Sequence, residues 1–185
     1  MVIFKPTSST GDWYVYTDVI DGSLDYLKLN AYDAKNDSAW TKLLTSTNVL
    51  EMQGSSAAIN SSGVTYIAYC FTPVAGYSAF GSYTGNGVAD GPFVYTGFRP
   101  KWLLVKSSST TYGWLMVDAV RNTFNYVDNY LYANLNAAEN NNVADLFTFT
   151  ANGFKVGNSL ANNASGATFI YAAFAEHPFK TARAR

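Results

Sequence analysis

The chain has one cysteine and one histidine in 185 residues, and this scarcity excludes two classes of protein. A single cysteine cannot build an internal disulfide framework. One histidine and one cysteine also fall short of the three or four nitrogen or sulfur ligands that a zinc site needs. We therefore expect no metal and no other cofactor. Cys70 lies in the apolar run 66–71, which predicts a buried thiol.

Residues that carry catalysis are also scarce. His177 lies near the C-terminus, whereas a catalytic triad needs its histidine deep in a cleft, so we predict a surface histidine. Paired carboxylates for glycoside hydrolysis remain formally available, but the acidic residues stand beside glycine, asparagine and turn signals. The segment 33–37 offers oxygen ligands and lacks the glycine and glutamate of a helix-loop-helix calcium loop. The sequence predicts a protein that is not an enzyme.

Charge is low as well as balanced. Charged residues make up 14% of the chain, with 12 basic and 13 acidic side chains and a formal net charge of −1. Such a chain has no long-range field that attracts nucleic acid or an anionic membrane surface. No run approaches the roughly eighteen apolar residues of a membrane span. We expect neither nucleic-acid binding nor membrane insertion.

Aromatic residues and small polar residues are abundant instead. Phenylalanine, tryptophan and tyrosine supply 16% of the chain, and the polar residues are mainly Ser, Thr, Asn and Gly. Aromatic and β-branched residues favour strands, and Gly and Asn favour the turns between them. The windows 13–16, 65–69 and 168–171 show this pattern. An all-β fold is predicted.

An internal repeat is the most informative feature of the sequence. The segment 2–13 contains an apolar trio, a lysine and a tryptophan that recur with the same spacing in 103–114. Farther on, residues 60–67 match residues 163–170. Self-similarity at a fixed spacing indicates repeated structural units. We predict two tandem β-sandwich-like units of jelly-roll or lectin-like type, fused into one body.

The repeat also sets the expected domain boundaries. The first unit spans residues 1–74 and the second spans residues 75–185. A segment with Gly-Asn-Gly at 85–87 and Asp-Gly-Pro at 90–92 joins the two copies. These turn signals between aromatic stretches predict a hairpin over 77–98 at the start of the second unit.

Binding through aromatic and amide side chains is the chemistry that remains. Sugars stack their apolar sides on aromatic faces and accept directed hydrogen bonds from amides. Trp13 and Trp114 occupy equivalent places in the repeat, which predicts that they are the core tryptophans of the two units. The predicted ligand- or partner-binding residues lie in the joining segment, where burial in a core or an interface is the alternative: Tyr77, Phe80, Tyr83 and Tyr95.

The joining segment also carries a resemblance to a known domain. Residues 76–87 and 90–100 resemble an uncharacterised domain in virion proteins of tailed phages, often from marine or cyanobacterial hosts. That domain often ends longer tail-fibre-like proteins with lectin-like sandwich domains. Further similar positions are spread over the second half: Lys106, Trp114, Asp118, Arg121, 132–134, 152–154, 164–166 and 173–179. The resemblance covers nearly the whole chain and carries no known binding or catalytic residues.

The resemblance implies a location in the virion and contacts with other virion proteins. The expected function is a non-enzymatic structural module of a tail fibre or tail tip that binds a host surface glycan or protein. A homo-oligomer is expected. A capsid decoration protein, of cement or head-fibre type, is the alternative. A polysaccharide-degrading tail enzyme is a remote third.

Overall fold

The computed structural model describes residues 1–38, 43–46, 49–52, 58–141, 145–157 and 160–177, so the end of the predicted second unit from residue 178 lies outside it. Strands dominate the described ranges, and the all-β prediction is confirmed. The elements are β1 Val2–Pro6, β2 Tyr14–Thr17, β3 Asp25–Lys28, β4 Asn36–Asp37, β5 Leu43–Ser46, β6 Val49–Met52, β7 Tyr66–Cys70, β8 Ser78–Thr84, β9 Phe93–Tyr95, β10 Pro100–Ser107, β11 Leu115–Asp118, β12 Tyr130–Tyr132, β13 Phe147–Thr150, β14 Gly153–Val156, α1 Leu160–Asn163 and β15 Thr168–Ala175. No helix in these ranges is long and apolar enough to cross a membrane.

The strands form antiparallel sheets. The first sheet has the order β4-β3-β2-β1-β7, and the second has the order β12-β11-β10-β15-β8. A third sheet has the order β13-β14-β9, and β5 pairs with β6. Each five-stranded sheet therefore joins strands that are far apart in the chain, which local sequence patterns alone do not specify.

The first and second sheets pack face to face. Val15 and Leu27 of the first sheet share a buried cluster with Leu104, Ile170 and Ala172 of the second. Successive side chains of a strand point to opposite faces, so these residues mark the facing surfaces of a sandwich. The hydrophobic effect across this interface holds the two halves of the chain together.

The second sheet is covered on its other face too. Leu103, Val117 and Phe169 pack there against Phe147 and Phe154 of the third sheet. Because both faces are buried, β10 and β15 contain consecutive apolar residues instead of alternating apolar and polar ones. The third sheet is thus an outer layer, with one face on the core and one toward solvent.

The two five-stranded sheets resemble each other in their pairing. The order β3-β2-β1-β7 in the first corresponds to β12-β11-β10-β15 in the second. The backbone N–H of Trp13 donates to Asn30 Oδ1 at 2.9 Å, and that of Trp114 donates to Asn134 Oδ1 at 3.0 Å. These correspondences accord with the predicted duplication, which stays a prediction until residues 2–71 are superposed on 103–174.

The predicted hairpin over 77–98 is wrong in its pairing. Its two strands exist as β8 and β9, but β8 pairs with β15 in the second sheet and β9 pairs with β14 in the third. The glycines between them allow close approach to the 163–165 turn, where a Cβ at Gly85 would lie 2.3 Å from the Ala164 carbonyl oxygen. Gly87 has a positive φ of 71° and donates its N–H to Asn163 O.

Two further expectations are corrected. Cys70 is exposed, because β7 is an edge strand of the first sheet with few covering residues on its C-terminal part. Trp114 is a core residue as predicted, whereas Trp13 is only half-buried and stacks on Tyr69 near the sheet edge, with 6.2 Å between ring centroids. His177 is exposed, as predicted.

Candidate functional site

The four predicted binding residues do not share one surface. Phe80 packs in the cluster between the first and second sheets, while Tyr83 packs in the cluster between the second and third sheets. The two side chains lie an odd number of residues apart on β8 and so point to opposite faces. Tyr83 is a core residue whose ring stacks on Phe169 and whose hydroxyl donates to Asn162 O at 2.8 Å.

The other two lie at separate places. Tyr77 precedes β8 and contacts the ring of Phe174, which also contacts Phe80. Tyr95 is in β9 of the third sheet, with 68% of its surface exposed. Tyr77 is exposed by 37%, so Tyr95 is the most exposed of the four predicted residues.

Tyr95 belongs to the solvent-facing side of the third sheet. Phe154 and Val156 of β14 point to the core, so the intervening residues point outward. Cross-strand pairing brings Gly153 opposite Tyr95 and Lys155 opposite Phe93. We call this side the outer face and define it by Phe93, Tyr95, Thr148, Thr150, Gly153 and Lys155.

The outer face is shaped by one glycine. An ideal Cβ at Gly153 would lie 3.0 Å from Phe93 Cζ and 2.1 Å from the Val94 carbonyl oxygen. The Phe93 ring therefore lies across Gly153, and the missing side chain lets it lie close to the sheet. Phe93 and Tyr95, two residues apart on β9, place two exposed rings on the same face, with the Tyr95 ring next to Gly97.

A loop of residues 119–127, which we call the aromatic loop, lies at the opposite edge of the third sheet, next to β13. Asn125 Nδ2 donates to Phe149 O, and Asn125 Oδ1 accepts from Phe149 N–H, both at 2.9 Å. Val127 forms a bridge with Phe147 and is buried in the core. The side chains on either side of Asn125, Phe124 and Tyr126, are exposed, Phe124 by 83%.

The same loop is fixed at its start by an ion pair. Arg121 Nε donates to Asp118 Oδ2 at 2.6 Å, and Arg121 Nη1 donates to Glu139 at 3.2 Å. Burial opposes ionisation of Asp118, but the hydrogen bonds from Arg121 and Val120 outweigh it and lower the pKa of Asp118. The loop is thus held at both ends by specific hydrogen bonds, which limits the entropy it loses on binding a ligand.

The outer face and the aromatic loop together form a shallow surface with aromatic rims. Four extended segments lie side by side here: residues 125–127, β13, β14 and β9. With ~4.8 Å between neighbours, the surface spans about 14 Å. Between the rims are Thr148 and Thr150, and Lys155 is paired with Asp90. The surface offers aromatic faces, hydroxyls and one ion pair. Such groups can hold a ligand by ring stacking and hydrogen bonding.

Groups for metal or acid-base chemistry do not gather at this surface. Within the described ranges no three His, Cys, Asp or Glu side chains are placed to hold a metal ion. In the first half of the chain, three carboxylates surround Lys35. Its Nζ forms ion pairs with Asp21, Asp25 and Asp37 at 2.7–3.0 Å. The ammonium occupies the place that a cation would take.

One buried ionisable group has a structural role. Lys106 is fully buried, and its Nζ donates to Ser107 O at 2.6 Å and to Tyr32 O at 3.2 Å. Burial lowers the pKa of Lys106 to about 8, although Asp33 acts in the opposite direction. The Tyr32 bond links the first half of the chain to the second, so Lys106 serves the packing of the halves.

Phe93, Phe124 and Tyr126 were not identified from the sequence. The segment 121–129 contains four asparagine or aspartate residues around its two aromatics and shows no strand alternation. Aromatic residues in an amide-rich turn have no local core to enter, and this signal marks them as exposed. The exposure of Phe93 depends on the pairing of β9 with β14 and on the space above Gly153, neither of which the local sequence shows.

The fold is all-β and sandwich-like, and the third sheet carries an exposed surface with aromatic rims. A family model described as Domain of unknown function (DUF7483) matches residues 1–178, and the chain belongs to that family. Comparison with curated proteins and with solved structures gives no match.

Proposed function

We propose that this chain is a non-enzymatic binding module of a tailed-phage particle, placed in a tail fibre or tail tip, that binds a host surface glycan. The exposed aromatic pair on a rigid sheet, Phe93 and Tyr95, supports the proposal most strongly. A rigid aromatic surface keeps its shape without ligand, so few side-chain rotamers are lost on binding.

Glycan chemistry fits the surface better than other ligands do. Sugar rings present C–H groups to aromatic faces, which Phe93, Tyr95 and Tyr126 offer, and hydroxyls to polar side chains such as Thr148. The surface is shallow, which suits an extended chain of sugar units across about 14 Å of sheet. With a net charge of −1, the protein has no field that favours nucleic acid.

The virion setting rests on the resemblance described above. Single shallow sugar sites bind weakly, and fibres multiply them by carrying several copies. We therefore propose a homo-oligomer that contacts other virion proteins and displays several copies of the outer face. If the protein is found outside the tail, this part of the proposal fails, while the proposed glycan site on the outer face is unaffected.

Capsid decoration is the alternative, and one observation favours it. Exposed apolar residues such as Val74, Tyr69 and Val120 lie outside the outer face, as docking surfaces would require. Cryo-electron microscopy of the intact particle separates the two functions. Density at a fibre end supports host binding, whereas density spread over the capsid lattice supports decoration.

The glycan proposal is tested with the purified chain against polysaccharides extracted from host cell surfaces. We expect saturable binding in isothermal titration calorimetry, with an affinity that falls at least about fivefold in Tyr95→Ala and in Phe93→Ala. One base-stacking contact, a comparable aromatic interaction, contributes about 1–3 kcal/mol. Tyr32→Ala is the matched control, because Tyr32 is exposed and distant in sequence from the outer face. Equal binding by all three variants would contradict the proposed site.

A further inference from the structure

The edge strand β7 has a counterpart in the second half of the fold. β7 pairs antiparallel with β1, which places Tyr69 opposite Ile3. β15 pairs antiparallel with β10, which places Ala172 opposite Leu104. Ile3 and Leu104 both belong to the cluster between the two sheets, so the two strands occupy corresponding positions.

The two strands differ in what covers their outer edge. β15 is paired along that edge with β8, in seven consecutive pairs from Thr168↔Thr84 to Phe174↔Ser78. In the described part of the chain, β7 has β1 as its sole strand neighbour. Ile67 is 40% exposed where its sequence counterpart Ile170 is 1% exposed.

The backbone of β7 has hydrogen-bonding groups that point away from the sheet. The Thr65 carbonyl accepts from Thr7 N–H, and Phe71 N–H donates to Met1 O, so the odd-numbered residues face β1. Alternation then directs the N–H and C=O of Ala68 and Cys70 outward. Among the described residues, these four groups have no hydrogen-bond partner.

Among the described residues, the edge at Ala68 and Cys70 has none of the features that normally prevent strand addition. Residues 66–70 contain no charge and no proline, and their pairing with β1 runs without a bulge. Natural edges are usually protected by lysine, proline, a bulge or a covering loop. An unprotected edge with exposed Ile67 and Tyr69 is suited to accept a further strand.

We propose that β7 accepts an extended strand from another polypeptide, antiparallel to β7 and similar in chemistry to β8. In the second sheet, β8 shows which strand fits such an edge. It is uncharged and rich in small residues (Ser78, Ala79, Gly81 and Ser82), and Gly81 leaves room for the ring of Tyr171 on β15. The seven pairs that β8 makes also extend beyond the five residues of β7, so a donor strand covers the whole edge.

The test uses the whole chain and a synthetic peptide with the sequence of residues 76–86, monitored by hydrogen-deuterium exchange. Bound peptide is expected to slow amide exchange in residues 66–70 at least about tenfold, in a saturable way. Ala68→Pro is expected to abolish this slowing. Its folding is preserved because the Ala68 N–H points away from β1, the position where an edge strand tolerates proline.

A matched peptide pair tests which edge of the donor strand faces β7. In the fold, Gly85 N–H donates to Ala167 O and Tyr77 O accepts from Ala175 N–H. The backbone groups of odd-numbered residues in β8 therefore face the neighbouring strand β15. N-methylation at Gly81 is expected to abolish binding, and N-methylation at Ser82 is expected to preserve it.

Several results would overturn the proposal. One is unchanged exchange in residues 66–70 at millimolar peptide, and another is equal slowing in Ala68→Pro. Protection of β15 instead of β7 would mean that the peptide exchanges with β8. A dimer of the chain alone, with β7 protected, would show that a second copy occupies the edge. Glycan binding at the outer face is expected to be the same in Ala68→Pro, so failure of one proposal leaves the other distinguishable.

Discussion

Replacing the two repeat tryptophans by phenylalanine separates a core site from a surface site. The Trp114 side chain is fully buried, and its Nε1–H donates to the Lys28 carbonyl oxygen at 2.9 Å. Trp114→Phe removes this donor, which costs about 1–2 kcal/mol for the unpaired carbonyl. Loss of the second indole ring adds about 1 kcal/mol of packing. We expect a total loss of about 2–3 kcal/mol in the free energy of unfolding.

At Trp13 the same change is expected to cost about 0.5 kcal/mol, because a half-buried phenylalanine still stacks on Tyr69. Urea denaturation followed by far-UV circular dichroism measures the free energy of unfolding of both variants. The data are fitted with one shared dependence of that free energy on urea concentration. For a chain of this size the thermal midpoint is expected to fall by about 5–10 °C for Trp114→Phe and by about 1–2 °C for Trp13→Phe. Equal losses in the two variants would refute this assignment of core and edge.

Three other changes have defined outcomes. Between about pH 8 and pH 10, the free energy of unfolding of the wild-type protein is expected to rise relative to that of Lys106→Met. The cause is that Lys106 keeps its proton in the unfolded chain and releases it in the folded protein. Urea titrations at several pH values measure this difference. A parallel pH dependence in both proteins would contradict it. Lys5→Met, at the equivalent but solvent-accessible position, is expected to change stability by less than about 0.5 kcal/mol in the same assay. Asn125→Ala removes both hydrogen bonds to Phe149 and is expected to speed amide exchange in residues 119–127 and to weaken glycan binding severalfold, and unchanged exchange would show that the loop needs no such anchor.

The strands were predictable because their signals are local. Alternating aromatic and β-branched residues bounded by Gly and Asn correctly indicated β2, β7 and β15. Pairing between strands is set by distant contacts. Gly85 and Gly87 read as turn residues from the sequence, but they permit close packing against residues 163–165. The hairpin prediction failed for that reason.

The candidate binding surface was only partly predictable. Tyr95 was identified, but its outward direction depends on the pairing of β9 with β14, which brings Phe93 over Gly153. Phe80 and Tyr83 have the same sequence character as Tyr95, yet their strand is covered on both faces by other sheets. Composition indicated many aromatic residues, and the layering of the sheets determines which of them stay exposed.

Direct titration of host surface polysaccharide against the wild-type chain, Tyr95→Ala and Tyr32→Ala tests the central claim that the outer face binds a glycan. The account predicts saturable binding by the wild type and by Tyr32→Ala, with at least about fivefold weaker binding by Tyr95→Ala. Unchanged affinity in Tyr95→Ala, or no binding by the wild type, would contradict it.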